Sequence, residues 1–414
     1  MTAHPSDAIA RRELDALAAR HGLDVTGAGA RLCRTSSRFC LGVEHGDYNG
    51  TELFGVGTDR FTWVAWRPND RGRVRLCSAN FEHDGVVAFT PGEVPAPRTV
   101  VDSWARFPFG IDWCMRRAGL STGRGLDAVV FGDIPGGGMS RSASLAINLT
   151  LAFFEANDVP VRDGFQIVEL TQAVENDYIG SPCGVLDQTM IYFAKAGMGT
   201  HYRPRERTIE HVPFGDTAAD LRFVSLDTGT VRPGLEKSTY AVRARECREA
   251  VAWLQQRAAI ERLADVRDPR QFAALEPALR ANRPELADRL TYIHRAQARF
   301  PHLLAAWRRG DVAAVGGVFR QDGRELRDLY RISGPELETM CDIVRTVPGV
   351  YGERMLGGGD KGASGALVRA DAVDAVRDAV ATAYPLSHPE FAARFAVHAC
   401  ALVDGVAVLE PLST

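Results

Sequence analysis

Apolar positions recur along this chain with two different periods. Between Asp7 and His21, Leu14, Leu17 and Ala18 fall on one face at helical spacing and predict an opening helix. The stretch Arg31 to Asp59 reads as short strands around a polar loop, and strands continue over Thr62–Arg67, Val74–Cys77 and Val86–Thr90. A helix with aromatic positions is predicted from Val101 to Ala118, then a strand from Asp127 to Phe131. Three glycines, Gly136 to Gly138, separate that strand from an apolar helix over Ser142–Asn157, and a further helix is predicted over Asp163–Tyr178.

The second half differs in texture. Ala241 to Val347 is read as mostly helical, with alternating charge and Ala/Leu periodicity. A glycine-rich loop at Gly357–Gly365, a helix near Asp371–Tyr384 with Asp371 as its N-cap, and strands at Phe395–Cys400 and Val406–Leu409 complete the pattern. Pro204 and Pro213 flank a polar, charged segment, so the chain divides near there into residues 1–210 and 211–414.

The length of 414 residues agrees with two domains, each able to bury a core. A net charge of −3 argues against nucleic-acid or anionic-membrane partners, both of which favour a basic field. No apolar run reaches the length of a membrane span, and the first residues lack a signal-peptide pattern. The eight cysteines form neither a C-x-x-C pair nor a metal cluster. A cytoplasmic location with reduced thiols is expected. Lysine occurs only at Lys195, Lys237 and Lys361, against 46 arginines, a bias that fits a GC-rich genome.

Three segments carry chemistry. In P-G-G-G-M-S-R-S-A-S, Pro135 to Ser144, the glycines let backbone approach an anion, and the helix N-terminus that follows supplies free N–H groups. Ser140 and Ser142 add hydroxyls for phosphate or Mg²⁺, and Arg141 adds charge; a tight strand-to-helix turn would use the same residues. The segment is neither a Walker A loop nor a G-x-G-x-x-G fingerprint. The second segment packs Glu44, His45, Asp47, Tyr48 and Asn49 together, which suits a polyhydroxylated ligand and equally an ordinary polar turn. The third, Glu175 to Gln188, places Asp187 in an apolar context as either a cap or a catalytic group.

In order and spacing these segments together resemble the signatures of the GHMP small-molecule kinases, and within them the galactokinases. The sugar signature matches at Arg38, Glu44, His45, Asp47, Tyr48, Asn49 and Gly50; the phosphate loop matches at Pro135, the glycines and Ser140–Ala143. C-G-x-x-D-Q matches at Cys183, Gly184, Asp187 and Gln188. Val231–Arg243 and Gly352–Gly359 resemble the family's tyrosine segment and third motif.

The resemblance implies an α+β fold: an N-terminal α/β domain joined to a ferredoxin-like α+β domain, with the site in the cleft between them. It implies an ATP-dependent sugar 1-kinase, with a small sugar and ATP as its partners and Mg²⁺ as cofactor. Gly136, Gly137, Gly138, Ser140, Arg141 and Ser142 would cradle the phosphates, and Ser142 with Glu175 would hold Mg²⁺. Asp187 would accept or orient the proton of the anomeric hydroxyl, and Arg38 would stabilise charge on the attacking oxygen. Glu44, His45, Asp47, Gly184 and Tyr240 would contact the sugar hydroxyls. A monomer is favoured, and the adenine contacts stay open, with Trp104 and Phe107 as aromatic candidates.

Departures from the family pattern bear on the substrate. Phe39 and Cys40 stand where the family has Val-Asn, the Ile-Gly pair is inverted to Gly42-Val43, Arg141 replaces a serine, and Pro233 stands where histidine is often found. Lys237 and Lys361 fall in segments expected to face the cleft, where they would bind a terminal phosphate on an already phosphorylated or secondary-metabolite sugar, contact ATP, or lie in solvent. A catalytically silent ATP and sugar sensor is the alternative function. The E-H-G-D-Y-N-G loop weighs against a mevalonate or homoserine kinase.

Overall fold

A computed structural model describes residues 4–215, 220–231 and 238–412. Helix α1 (Pro5–His21) starts on a capping box between His4 and Asp7 and stops at left-handed Gly22. The predicted short strands are two long ones, β1 (Arg31–Gly42) and β2 (Leu53–Asn69), the second absorbing Thr62–Arg67. Strands β3 (Val74–Ser78) and β4 (Val87–Phe89), helix α2 (Arg106–Arg117), strand β5 (Gly125–Gly132) and helix α3 (Arg141–Ala156) follow.

The helix predicted to Tyr178 is instead α4 (Gly164–Ala173), capped by Asp163, and then a wider π-helical turn over Val174–Ile179. Such turns are rare and concentrate at functional sites; this one carries buried Glu175. After it come α5 (Leu186–Tyr192), β6 (Met198–Arg203), β7 (Thr208–Pro213) and β8 (Leu221–Asp227). The helical stretch resolves into α6 (Thr239–Leu254), α7 (Pro269–Asn282), α8 (Pro284–Arg308), α9 (Val312–Asp328) and α10 (Pro335–Arg345). Strands β9 (Val350–Met355) and β10 (Ala363–Arg369), helix α11 (Val373–Ser387), and strands β11 (Ala396–Cys400) and β12 (Val406–Leu409) end the fold. Asp371 does not cap α11: it sits in a 3₁₀ turn and its carboxylate is taken by Arg369 at 2.5 Å, while Ala372 occupies the cap position.

The strands form two sheets. The first runs β12-β1-β2-β5-β3-β4, with β6 continuing from the far end of β2 and β7 beside it. The second runs β11-β8-β10-β9 and is antiparallel throughout. The boundary read near residue 210 falls inside β7 of the first sheet, and β8 belongs to the second. The chain later returns to the first sheet, because β12 pairs with β1 from Leu32↔Leu409 to Thr35↔Val406.

One apolar core ties the halves together. Phe39 on β1 stacks on Phe319 of α9 and meets Phe223 of β8 edge-on, while Phe54 of β2 packs against Trp307 of α8. All five side chains are essentially buried, each contributing about 1.5–3 kcal/mol relative to exposure. This shared core fixes the relation of the β1–β2 loop to the second sheet, and so positions the site. Among the described residues no helix is long and apolar enough to cross a membrane.

Candidate active site

The elements converge on a cavity of about 250 Å³. Its walls come from the β1–β2 loop (Glu44, His45, Asp47), the loop after β5 (Pro135 to Ser142), the π turn (Glu175) and the start of α5 (Asp187). Arg38, Gly184 and Tyr240 also line it, so the sequence-predicted residues other than Lys361 and Lys237 come together here. Lys361 is drawn off by Glu336 at the start of α10, 2.8 Å from its ammonium, and is not part of the cavity wall. Lys237 and Pro233 lie outside the described residues. Phe107 reaches the cavity, whereas Trp104 is buried in the core beside the first sheet.

Asp187 and Arg38 form the floor. Arg38, 2% exposed, reaches Asp187 Oδ1 with Nε at 2.8 Å and Nη2 at 2.7 Å, and Nη1 donates to the Gly138 carbonyl at 2.5 Å. One guanidinium therefore ties the α5 carboxylate to the glycine loop. Both bonds use Oδ1. Asp187 Oδ2 has no hydrogen bond among the described residues, and the carboxylate is about one-third exposed at the cavity. The Cys40 backbone carbonyl, two residues on from Arg38 along β1, accepts from Arg354 at 2.9 Å.

The glycine loop packs where only glycine fits. A Cβ on Gly137 would collide with the backbone of Gly362, which brings the loop against the strand-to-strand turn after β9. Ser140, the residue before α3, holds φ +63°, and its buried Oγ lacks a partner among the described residues. Three glycines and left-handed Ser140 thus lead into a helix N-terminus with unspent N–H groups, an arrangement suited to phosphate oxygens. Arg141 lies beside it, and burial lowers the pKa of its guanidinium.

Two carboxyls in the cavity are pushed above their ordinary values. Burial, and then the charge of Asp187, pushes Glu175 up to about 7, and its Oε1 is buried without a partner among the described residues. Ser142 lines the same cavity wall. An orphaned carboxylate oxygen beside a hydroxyl is a hard, oxygen-only donor set, which fits a Mg²⁺ ion completed by phosphate and water. Among the described residues no three His, Cys, Asp or Glu side chains cluster to hold a metal by themselves. Burial also pushes Asp47 up to about 6, opposed by a hydrogen bond from the Leu186 N–H at 3.1 Å. A Cβ at position 184 would fall within the Asp47 carboxylate, so the glycine there lets the two loops touch.

Sequence reasoning missed the supports of the polar loop. Arg354 on β9, fully buried, donates Nη1 to Glu44 Oε2 at 2.9 Å. Tyr330 donates to or accepts from Tyr48 (2.7 Å), and Tyr48 bonds His45 Nδ1 at 3.0 Å. Arg354 sits inside the resembling third motif, which is the one signal that could have identified it.

The comparisons agree with this geometry. The family model for the GHMP kinases N terminal domain matches residues 110–195. A galactokinase from Streptomyces coelicolor is 31% identical over 344 residues, covering 82% of this chain and 85% of that protein. One from Chloroflexus aggregans is 31% identical, covering 86% and 88%. The crystal structure of Lactococcus lactis galactokinase complexed with galactose superposes with a TM-score of 0.88 at 27% identity, covering 97% of this chain and 100% of that one. Methanococcus jannaschii mevalonate kinase, at 14% identity and a TM-score of 0.60, shares the fold. The chain belongs to the galactokinase family of the GHMP kinases and is an ATP-dependent sugar kinase.

Proposed function

We propose that the protein transfers the γ-phosphoryl group of ATP to the anomeric hydroxyl of galactose or a closely related free aldose, giving a sugar 1-phosphate. The observation that carries this reading is the Arg38–Asp187 pair beneath the sugar loop, with Asp187 Oδ2 left facing the cavity. The galactokinase relatives support galactose as the ring to be recognised.

Glu44, His45, Asp47 and Tyr240 offer donors and acceptors to the ring hydroxyls, and Gly184 leaves room for Asp47 to reach them. Asp187 Oδ2 accepts or orients the proton of the attacking hydroxyl, while Arg38 stabilises the charge growing on that oxygen. Gly136 to Gly138, Ser140, Arg141 and Ser142 hold the phosphates in line for attack, so most of the rate comes from positioning and charge stabilisation. Mg²⁺ bound by Ser142 and Glu175 would neutralise phosphate charge. The capture of Lys361 by Glu336 weighs against a terminal phosphate on the acceptor.

ADP release from Mg²⁺-ATP with galactose, with phosphorus NMR on the product, tests the reading. Asp187→Asn should lower kcat by about 10²–10⁴-fold with the KM for ATP little changed. Normal turnover in that variant would overturn the mechanism.

A further inference from the structure

A second cavity, about 470 Å³, opens beside the roots of the sugar loop and shares no lining residue with the first. Val43 precedes the loop and Thr51 and Glu52 follow it; all three line this cavity. Facing them from α8 is Gln297, 8% exposed, whose Nε2 and Oε1 both lack a partner among the described residues. A buried primary amide normally satisfies its donors and its acceptor, and leaving them unmet costs about 1–3 kcal/mol. Both polar atoms lie sealed behind the cavity wall, so a turn of the Gln297 side chain brings an unspent donor–acceptor edge into the cavity.

The rim is cationic. Arg203 and Arg308 share Glu210, while Arg267 takes Glu52 at 3.2 Å together with buried His201 at 2.8 Å. Three guanidiniums are thus set against two carboxylates, and all three stay partly in solvent, where they can reach a ligand. Phe300 is the one aromatic carbocycle in the wall, and its ring is already engaged with His201 at 5.4 Å. That leaves little face for a nucleobase to stack on.

We propose that this cavity is a second ligand site for a small phosphorylated polyol, whose adjacent hydroxyls pair with the Gln297 amide while its phosphate meets Arg203, Arg267 and Arg308. Occupancy bears on the sugar loop, because the Thr51 N–H donates to the Gly46 carbonyl at 3.0 Å. Where that loop binds the acceptor sugar as proposed above, filling the cavity changes the KM for the sugar. Binding itself rests on no part of that reading.

Calorimetric titration of the full chain with glucose 6-phosphate tests the site, with sorbitol, inorganic phosphate and AMP as comparison probes. Binding should be weakened about tenfold or more by Gln297→Leu and by the exposed pair Arg267→Ala/Arg308→Ala, and left intact by Asp187→Asn. No binding at about 10 mM, equal affinity in Gln297→Leu and parent, or loss of binding in Asp187→Asn would overturn the site. AMP or bare phosphate binding as tightly as glucose 6-phosphate would overturn the ligand class. A sugar KM that moves with glucose 6-phosphate in the parent and not in Gln297→Leu supports the coupling, and an unmoved KM refutes it. A chain that binds the probe here yet turns over no sugar would fail the kinase reading and leave this site standing.

Discussion

Replacing Arg354 by methionine tests the main support of the sugar loop. The guanidinium is fully buried over the ring of Phe319, 4.5 Å from its centre. It spends Nη1 on Glu44 and Nη2 on the Cys40 carbonyl, with Asp322 3.8 Å away. Arg354→Met keeps much of the volume and removes every one of these partners. Asp322 retains Arg299 at 3.0 Å, so the stranded charge is Glu44, itself 2% exposed. Breaking a buried pair from one side costs about 3–5 kcal/mol. Burial already holds the Glu44 carboxyl above its ordinary value, with Arg354 and Arg38 pulling it back. Without Arg354 it rises further, so the folded variant binds a proton that the unfolded chain releases. That contribution is present at low pH and lost as pH rises through the folded value, so the deficit against the parent should be larger at pH 8 than at pH 5. Urea unfolding at the two pH values reads it directly, and Glu44→Gln in the same chain should recover a large part of the loss. A deficit below about 1 kcal/mol, or one that grows as pH falls, would refute the reasoning.

Other consequences are as specific. Gly184→Ala drives a methyl into Asp47 and should raise the sugar KM at least several-fold while leaving the ATP KM near the parent value, measured by steady-state kinetics. Tyr330→Phe removes the hydroxyl shared by Tyr48 and Cys247 and should cost about 1–3 kcal/mol in unfolding free energy. His398, pushed by burial down to about 4, stays neutral in the fold while the unfolded ring protonates near 6.5. Its contribution is therefore present at neutral pH and fades as pH falls from about 6.5 toward 4, and His398→Gln should flatten the acid limb of a stability–pH curve by about 1–2 kcal/mol.

The site was more legible than its scaffolding, for a physical reason. Glycines at 136–138 and the run from Glu44 to Gly50 are local patterns whose chemistry is written in neighbouring residues. Arg354 and Tyr330 act through contacts with Glu44 and Tyr48 some three hundred positions away, and spacing along the chain holds no trace of that proximity. Lys361 shows the converse: its segment does reach the cleft, through Gly357 and Gly358, but Glu336 at the start of α10 engages its charge. Strands β8, β9 and β10 were missed because the alternation in them is faint; β10 is buried at six of its seven positions, so it reads as a continuous small-residue run. The helix to Tyr178 was over-extended because a π turn keeps the apolar pattern going while changing its pitch.

The pairing of β12 with β1 has a bearing on biosynthesis. A ribosome delivers β1 long before β12, so the outer edge of β1 over Leu32–Thr35 stays uncovered while everything between them is made. An open strand edge is a template for pairing with other chains. The first sheet thus closes at this edge only once β12 has been made, although β12 lines no part of the candidate site.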